Sequence, residues 1–435
     1  MSNIKEANPI LNPQGEPREP WNRLYVLVDS IDQLAPEGAA QVVRMDGVQA
    51  DYFDAFDGEI PIGEGINRAP LAILELFTED QDASYGASST REVLQPGEWL
   101  EVEFDPGASE GIRVDYYSNL FGNATSRYAR NIRRVDPVLS RKLGKAFSLA
   151  DVSEADEHSI QTVIDGVGEL AFINVLDVGQ GNANALWQDG GGVALYFDFG
   201  GGVGGNTKTF PAQFTQPCFS NRPPIVLSHW DWDHWSSGVR FPGALDSIWI
   251  APRQQIGPVH RAFAWLLHSR RNLFLWPTNC SDMSGPSLQV ARCTGRDRNN
   301  SGLSVVVQRT LRRGAKEAVL LSGDADYTNI TACATKQFGA AVVSHHGGIG
   351  TGHNTVRPTG PTSQLVYSVG HGNTYGHPKL QALLEHLVAG WIPAHTFSTA
   401  QHSRNRPCHI AIVLNRKTPT TGCMHRNCEP KVVAR

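Results

Sequence analysis

The chain has 435 residues, of which 40% are hydrophobic and 19% are charged. This length predicts two or three domains with an ample core, and the composition excludes a disordered protein. The formal net charge of −5 excludes a global basic field, so any site for a polyanion must be a local patch.

The cysteines and the N-terminus bear on the cellular compartment. The seven cysteines show no evenly spaced pairs, and the N-terminus has no apolar signal segment. An odd count of this kind favours reduced thiols, and no run of about 18 apolar residues predicts a membrane span. We therefore expect a soluble, cytoplasmic protein that does not associate with membranes. A small zinc knot of Cys408, His409, Cys423, His425 and Cys428 fits no strong zinc template, so free thiols are favoured.

The first third of the chain is predicted to be rich in strands. Residues 1–20 contain four prolines among polar residues and are expected to form a flexible lead-in. Apolar runs bounded by Gly, Pro or Asp predict strands at 24–28, 71–77, 99–104 and 112–117. Residues 21–145 are therefore expected to form a β-rich accessory domain, smaller than the domain that follows and without a catalytic constellation.

A basic segment ends this domain. Its members are Arg127, Arg130, Arg133, Arg134, Arg141, Lys142 and Lys145. A surface that tracks phosphates is one interpretation, but a solvated helix face covered by arginine stems is favoured. Residues 146–168 are polar and acidic and are expected to be a linker with a short helix.

From residue 169 onward, apolar strands are followed by residues that can bind metals. The densest example is the segment Ser-His-Trp-Asp-Trp-Asp-His at 228–234, directly after the apolar run 224–227. Imidazole and carboxylate groups hold Zn²⁺, Mn²⁺ or Fe, and four of them exceed what one structural ion needs. A capped turn would need fewer of these groups. The spacing therefore predicts a paired-metal site.

Three later strands repeat this arrangement. They are followed by Asp324, by His345 and His346, and by the loop that holds His377. Each has an ordinary explanation when taken alone, such as a helix cap or a core histidine. Because strand ends at one sheet edge converge on a common rim, we expect these side chains to meet at one dinuclear site. Of the 15 histidines only one precedes His229, which places the metal chemistry in the second half of the chain.

At these motifs the chain resembles the metallo-β-lactamase superfamily, and more narrowly the hydrolase domain of ComEC-type DNA-uptake proteins and their free-standing relatives. The resemblance covers about residues 170–387, with matching motifs at 177–181, 197–198, 228–234, 323–324, 345–347 and 375–378. Asp231 stands where the broad superfamily has His and the narrower group has Asp. One further His of the broad family has no counterpart here, although Cys293 and Asn300 lie nearby in sequence.

The resemblance implies that residues 169–435 form an α/β fold, the αββα sandwich of two mixed sheets with helices outside. It also implies two divalent ions, zinc or manganese, with the ligands His229, Asp231, Asp233, His234, Asp324 and either His345 or His346. The first two would serve one ion, the next two the other, and Asp324 would bridge them. Asp198 would orient a ligand from behind.

The implied reaction is hydrolysis by a hydroxide bound to the two metal ions. Asp233 would orient the water, and His377 would protonate the leaving oxygen or hold a phosphate. Asn373 and Tyr375 are predicted to bind the substrate. Because a metal pair neutralises the charge of a phosphodiester, we expect a phosphodiesterase, in particular a nuclease acting on nucleic acid or nucleotides.

Two further groups of residues bear on that substrate. Bases could stack on Trp230, Trp232 and Trp235, although packing against the walls of the site is favoured for them. Local positive charge is offered by Arg292, Arg296, Arg298, Arg309, Arg312 and Arg313.

Two alternatives remain open at this point. The same fold can hydrolyse a small ester, lactone or amide, which would require an apolar pocket beside the metals. A metal-stabilised scaffold without catalysis, whose N-terminal domain binds a protein partner, would hold fewer than two ions per chain.

Overall fold

The computed structural model describes residues 7–16, 18–34, 40–61, 63–79, 94–188, 191–310, 316–397 and 407–414. The chain divides into two compact units. The barrel unit consists of Asn3–Val152 and Gln255–Arg271, and the two-sheet unit consists chiefly of Ser153–Gln254 and Asn272–Arg435. Within the described ranges, no helix has the length and apolar character needed to cross a bilayer.

The helices of both units are short. In chain order they are α1 (Ala50–Ala55), α2 (Glu64–Arg68), α3 (Pro137–Ala146), α4 (Glu157–Asp165), α5 (Trp232–Trp235), α6 (Ser237–Arg240), α7 (Pro258–Ser269), α8 (Thr331–Thr335) and α9 (Leu380–Val388). The predicted linker 146–168 contains α4.

The barrel unit is built on a closed antiparallel barrel. Its strands are β1 (Arg23–Gln33), β2 (Ala40–Gln49), β3 (Leu71–Glu79), β4 (Trp99–Phe104), β5 (Ile112–Tyr117) and β6 (Thr125–Arg134). Around the barrel the order is β1-β2-β3-β5-β6-β4. Alternate residues face inward, such as Leu24, Val26 and Val28 on β1, and together they fill one apolar core. The four predicted strands correspond to β1, β3, β4 and β5.

Only the second half of the basic segment is the solvated helix face favoured from the sequence. Its first half is strand β6, which buries Ala129 and Ile132 in the barrel core, and α3 carries the rest. Arg133 Nη2 lies 2.6 Å from Glu101 Oε2, and Arg134 Nη2 lies 3.1 Å from Glu98 Oε1. These ion pairs offset positive charge that a phosphate-tracking surface would need.

The predicted flexible lead-in is partly anchored. Ile10 and Leu11 are buried, and the Asn8 amide donates hydrogen bonds to the carbonyl oxygens of Ile66 and Ala69. Apolar burial and these bonds therefore fix part of a segment whose prolines predicted flexibility. Residues 1–6 lie outside the described residues.

The two-sheet unit contains two seven-stranded mixed sheets. The first has the order β12-β11-β10-β9-β8-β7-β20, with β7 (Leu170–Val175), β8 (Ala183–Gln188), β9 (Val193–Phe199), β10 (Ile225–Val226), β11 (Trp249–Ala251), β12 (Leu273–Leu275) and β20 (Ile410–Val413). The second runs from β13 to β19 in chain order, with β13 (Asp282–Ser284), β14 (Leu288–Arg292), β15 (Leu303–Thr310), β16 (Lys316–Leu321), β17 (Phe338–Val342), β18 (Gln364–Tyr367) and β19 (Ile392–His395).

One apolar core joins both sheets. It includes Ile173 and Phe197 of the first sheet and Val305 and Val342 of the second. In each sheet half of the strand pairs are parallel, namely β9 to β12 in the first and β16 to β19 in the second. The chain is therefore a mixed α/β protein with several sheets.

The cysteines of the described residues are free thiols: Cys218, Cys280, Cys293, Cys333 and Cys408. Cys423, His425 and Cys428 lie outside the described residues.

A buried histidine of α9 is expected to make folding stability depend on pH. His386 Nδ1 lies 2.8 Å from the Tyr367 hydroxyl, and burial lowers the pKa of His386 to about 4. A depressed histidine pKa stabilises the fold fully above the unfolded pKa, and this contribution is lost as the pH falls towards the folded pKa. Between about pH 7 and about pH 5, wild type should therefore lose about 2 kcal/mol more unfolding free energy than His386→Gln.

Urea unfolding at both pH values measures this difference. His353→Gln, at a position whose side chain is 80% exposed, is the matched control and should behave as wild type. If the unfolding free energies of wild type and His386→Gln changed equally with pH, His386 would not be the source of the pH dependence.

Candidate metal centre

Loops at the carboxyl ends of parallel strands carry the predicted site residues. Asp198 lies at the end of β9, the segment 228–234 follows β10, and Asp324 follows β16. The histidine pair follows β17, and the loop with His377 follows β18. The strands β9 and β10 belong to the first sheet and β16, β17 and β18 to the second, so the site lies where the carboxyl ends of parallel strands of both sheets meet.

The segment 228–234 is held by local caps and by glycine turns. Asp231 Oδ1 accepts a hydrogen bond from the Trp232 N–H at 2.9 Å and so caps α5. The Asp233 carbonyl oxygen accepts from the N–H groups of Asn182 (2.9 Å) and Gly201 (3.0 Å). Trp230, Trp232 and Trp235 are all buried, so they pack the walls of the site and offer no face to bases.

Asp324 lies at the centre of the histidines, with a side chain only 4% exposed. Its Oδ1 is 3.1 Å from His234 Nε2 and 3.7 Å from His346 Nε2. Its Oδ2 is 3.7 Å from His229 Nε2 and 3.9 Å from His345 Nε2. One carboxylate therefore faces four imidazoles contributed by two segments of the chain.

The closest donors form two overlapping groups. One consists of His229, His234 and Asp324, and the other of Asp233, His234 and His346. His346 Nε2 lies 3.4 Å from Asp233 Oδ2. These buried nitrogen and oxygen donors define a candidate metal-binding site, at which a divalent ion is the natural occupant.

Asp231 and His345 lie at the margin of these groups. Asp231 Oδ2 is 3.9 Å from His229 Nε2, and neither Asp231 nor His345 belongs to the two close groups. The His345 side chain is 26% exposed, whereas that of His346 is 3% exposed. His346 Nδ1 is also 2.7 Å from the Ser368 carbonyl oxygen, which turns Nε2 towards the carboxylates.

Asp198 orients His234 from behind. Its Oδ2 lies 2.9 Å from His234 Nδ1 and also accepts from the Ser228 hydroxyl (2.9 Å) and the Asn182 amide (3.1 Å). Its Oδ1 accepts from the Ser228 N–H at 2.7 Å. This fully buried carboxylate therefore fixes the imidazole ring so that Nε2 faces the centre.

Left-handed backbone conformations are concentrated here. Asp198, His345 and His346 have φ values of 56°, 46° and 54°. Such conformations cost non-glycine residues free energy and persist where the surrounding structure imposes them. Placing these three side chains therefore costs folding free energy, which the surrounding structure offsets.

The electrostatics of the centre follow from its burial and its mixed charges. Burial alone would lower the pKa of His234. The Asp324 and Asp198 carboxylates have the larger opposite effect and hold this pKa well above its ordinary value. Burial raises the pKa of Asp324, but the surrounding histidines hold it well below its usual range. Burial and the neighbouring His234 charge hold the pKa of His229 well below its usual value. A metal that binds His234 therefore has to displace a proton.

His377 lies beside the centre, with its ring centroid 5.7 Å from that of His345 and 6.3 Å from that of His346. Its Nδ1 is 3.4 Å from Gln180 Nε2, and Gln180 is buried. The other ring nitrogen, Nε2, lies beside Gly348, where an added Cβ would be 3.3 Å from it.

The two residues predicted to bind substrate are engaged within the same loop. Asn373 Nδ2 donates to the carbonyl oxygens of Gly370 (2.9 Å) and His377 (2.7 Å), and its Oδ1 accepts from the His377 N–H (2.9 Å). Tyr375 is buried with its ring 5.7 Å from that of His377. Both residues shape the loop around His377, and their contact with substrate stays a prediction.

A third group of close donors lies in the barrel unit, formed by Asp29, Asp46 and His260. The Asp46 carboxyl oxygens accept from the N–H groups of Val259 (2.7 Å) and His260 (3.3 Å) in the first turn of α7. His260 Nε2 lies 2.9 Å from Asp29 Oδ1. The cluster is explained by the anchoring of α7, whose first N–H groups need acceptors.

Sequence reasoning missed the residues that support the centre. Gln180 contacts His377, Asn182 contacts Asp198, and Arg298 lies 3.8 Å from Asp231. Gln180 belongs to the motif 177–181 that carries the resemblance, and Asn182 directly follows that motif; their position in the sequence was the available signal. Arg298 belonged to a run of arginines in which no spacing distinguished it.

No protein-family model matches this chain, and no curated protein matches it either. Among solved structures it is similar to Zn²⁺-bound PqqB from Methylobacterium extorquens, with 10% identity and a TM-score of 0.32 over 51% of this chain and 97% of that chain. It is also similar to a long-form RNase Z from yeast, with 10% identity and a TM-score of 0.28 over 64% of this chain and 46% of that one. At similarities this low, the functional interpretation rests on the geometry of this chain.

Proposed function

We propose that this chain is a metal-dependent hydrolase of the metallo-β-lactamase superfamily that cleaves phosphodiesters in nucleic acids or nucleotides. The supporting observation is the convergence of buried imidazole and carboxyl groups around Asp324. The two mixed sheets with a shared core are compatible with the αββα sandwich of that superfamily. Asp231 favours the ComEC-type group within it.

The residues of the centre fit divalent ions. His229 Nε2 and His346 Nε2 are buried and make no hydrogen bond, although each lies near a carboxylate. A buried polar atom without a hydrogen bond is costly, and a metal ion would remove that cost. Nitrogen and carboxylate donors suit zinc or manganese.

The proposed binding scheme uses two ions. His229 and Asp231 would hold one ion, and Asp233, His234 and His346 would hold the other, with the Asp324 carboxylate available to both. We choose His346 over His345 because it is the more buried of the two and is oriented by Ser368. Two bound ions would lower the pKa of a water molecule and neutralise charge on the phosphoryl group.

The side chains around the ions have separate roles in this scheme. Asp233 orients the attacking water, because its carboxylate faces the centre beside His346. His377 protonates the leaving oxygen, with Gln180 holding its ring from Nδ1. Asp198 keeps His234 in its ligating orientation.

A substrate panel tests this proposal. Protein loaded with Mn²⁺ or Zn²⁺ should hydrolyse phosphodiesters among single- and double-stranded DNA, RNA and cyclic dinucleotides, in preference to a neutral ester and a lactam. Loss of a ligand should lower that rate at least about 100-fold in His229→Ala and in Asp233→Ala, since even partners behind a ligand contribute 10- to 100-fold. His353→Ala, far more exposed, is the matched control and should keep the wild-type rate.

The outcomes separate this proposal from its alternatives. Turnover of the neutral ester or lactam alone would indicate a small-molecule hydrolase. Fewer than two ions per chain together with no turnover would favour a metal-stabilised scaffold without catalysis. Equal phosphodiester turnover by wild type and both ligand variants would contradict metal-dependent hydrolysis at this site.

A further inference from the structure

Arg298 lies at the edge of the candidate metal centre. Its Nη2 is 3.8 Å from Asp231 Oδ2, which is itself 3.9 Å from His229 Nε2. The Arg298 side chain is 11% exposed, so it is mostly removed from water and still accessible from solvent.

The position of Arg298 is fixed from the side of the segment 228–234. Gln254 Nε2 donates to the Arg298 carbonyl oxygen at 2.6 Å and to Ser301 Oγ at 2.9 Å. Gln254 Oε1 accepts from the Trp230 N–H at 3.2 Å. One side chain therefore joins the backbone of Arg298 to the backbone between two predicted metal ligands.

The same loop is also fixed from the side of Asp324. Asn300 Oδ1 accepts from the Asp326 N–H and from the Asn329 amide, both at 2.8 Å. Asp297 Oδ1 accepts from the Asn300 N–H at 3.0 Å. Arg298 is thus carried by a loop tied to two of the segments that supply ligands, which is the support a binding residue needs.

Three other arginines of this stretch lie in the described residues, and each is exposed or has a partner other than the predicted metal ligands. Arg292 Nη1 donates to the Thr278 carbonyl oxygen at 2.9 Å, and Arg309 Nη1 lies 3.6 Å from Glu317 Oε2. Arg296 is exposed, and Arg312 and Arg313 lie outside the described residues.

Building on the proposed function, we propose that Arg298 binds an anionic oxygen of the substrate and selects phosphodiesters over neutral esters. A guanidinium presents a planar fork of N–H donors that matches phosphate oxygens, and hydrogen bonds between charged groups are the stronger ones. Asp231 holds this fork beside the His229 side of the centre. A neutral ester offers no anionic oxygen to it.

The test compares Arg298→Gln with the matched control Arg296→Gln in metal-loaded protein. Loss of a hydrogen bond to a charged group should weaken binding of inorganic phosphate, measured by titration calorimetry, about 10- to 100-fold in Arg298→Gln. The KM for bis(p-nitrophenyl) phosphate should rise by a similar factor with a smaller change in kcat. Hydrolysis of p-nitrophenyl acetate and the metal content should stay unchanged, and Arg298→Lys should recover part of the phosphate affinity.

Three results would overturn the proposal. Unchanged phosphate affinity in Arg298→Gln, or no measurable phosphate binding by wild type, would show that Arg298 binds no anion. Equal losses on both esters, or loss of metal, would show that Arg298 only supports the loop. If wild type hydrolyses no phosphodiester, the proposed function fails, while the phosphate titration still decides the role of Arg298.

Discussion

Replacing Asp324 with Asn is expected to remove metal and activity together while leaving the fold in place. The substitution keeps the size of the side chain but deletes the charge that faces His229, His234, His345 and His346. Metal affinity and phosphodiester hydrolysis should each fall at least about 100-fold, since residues that merely orient a ligand contribute 10- to 100-fold. Metal content after dialysis, measured by mass spectrometry, and initial hydrolysis rates check this.

Asp326→Asn is the matched control for this variant. Asp326 lies two residues further along the same loop, its side chain is exposed, and the control removes the same charge. It should keep both metal and activity, and far-ultraviolet circular dichroism should be the same for wild type and both variants. Retention of metal by Asp324→Asn at the wild-type level would show that the ion is held elsewhere.

The residues that form the candidate centre could be predicted because each lies in a recognisable local sequence pattern. Each apolar strand is followed immediately by ligand-type residues, as at 228–234 and at Asp324, and ligand sites form at the carboxyl ends of parallel strands. The choice between His345 and His346 could not be predicted from sequence. It depends on two left-handed backbone conformations and on a hydrogen bond to Ser368, which lies 22 residues away.

The barrel was predicted incompletely because buried charges interrupt its apolar pattern. Strand β2 contains Arg44 and Asp46, and both are buried. Arg44 Nη2 lies 2.9 Å from Asp32 Oδ2, and Asp46 accepts from the first turn of α7. These partners come from other parts of the chain. The residues around β2 therefore do not indicate that its buried charges are paired, which is the condition for burying them in a strand.

The helix α7 also shows that local sequence does not reveal partners from distant parts of the chain, here for the assignment of a whole helix to a unit. The apolar residues between 259 and 275 have helical spacing, but α7 ends at Ser269, residues 273–275 form β12, and the helix belongs to the barrel unit. Asp29 and Asp46, which anchor it, precede His260 by more than 200 residues. Periodicity reports which face of a helix is apolar and carries no information about which sheet or barrel covers that face.

Replacing Gly200 with Ala is expected to disrupt the candidate centre through the backbone. A Cβ at this position would lie 1.7 Å from the Asp233 carbonyl oxygen, 2.1 Å from its carbonyl carbon and 2.5 Å from the His234 nitrogen. These atoms belong to the backbone of α5 and cannot rotate away. The clash should cost about 3 kcal/mol or more of unfolding free energy, the upper range for overpacking a core.

The segment with Asp233 and His234 then has two possible responses. It moves, which separates His234 from Asp198 and Asp324, or the unit unfolds. In both cases metal binding is lost, and thermal unfolding of metal-free protein distinguishes the two by the size of the shift in Tm. Gly360→Ala, in the same unit with no atom within 4 Å of its Cβ, is the control and should keep stability and metal content. A Gly200→Ala protein that binds metal as wild type does would show that β9 does not set the position of the segment 228–234.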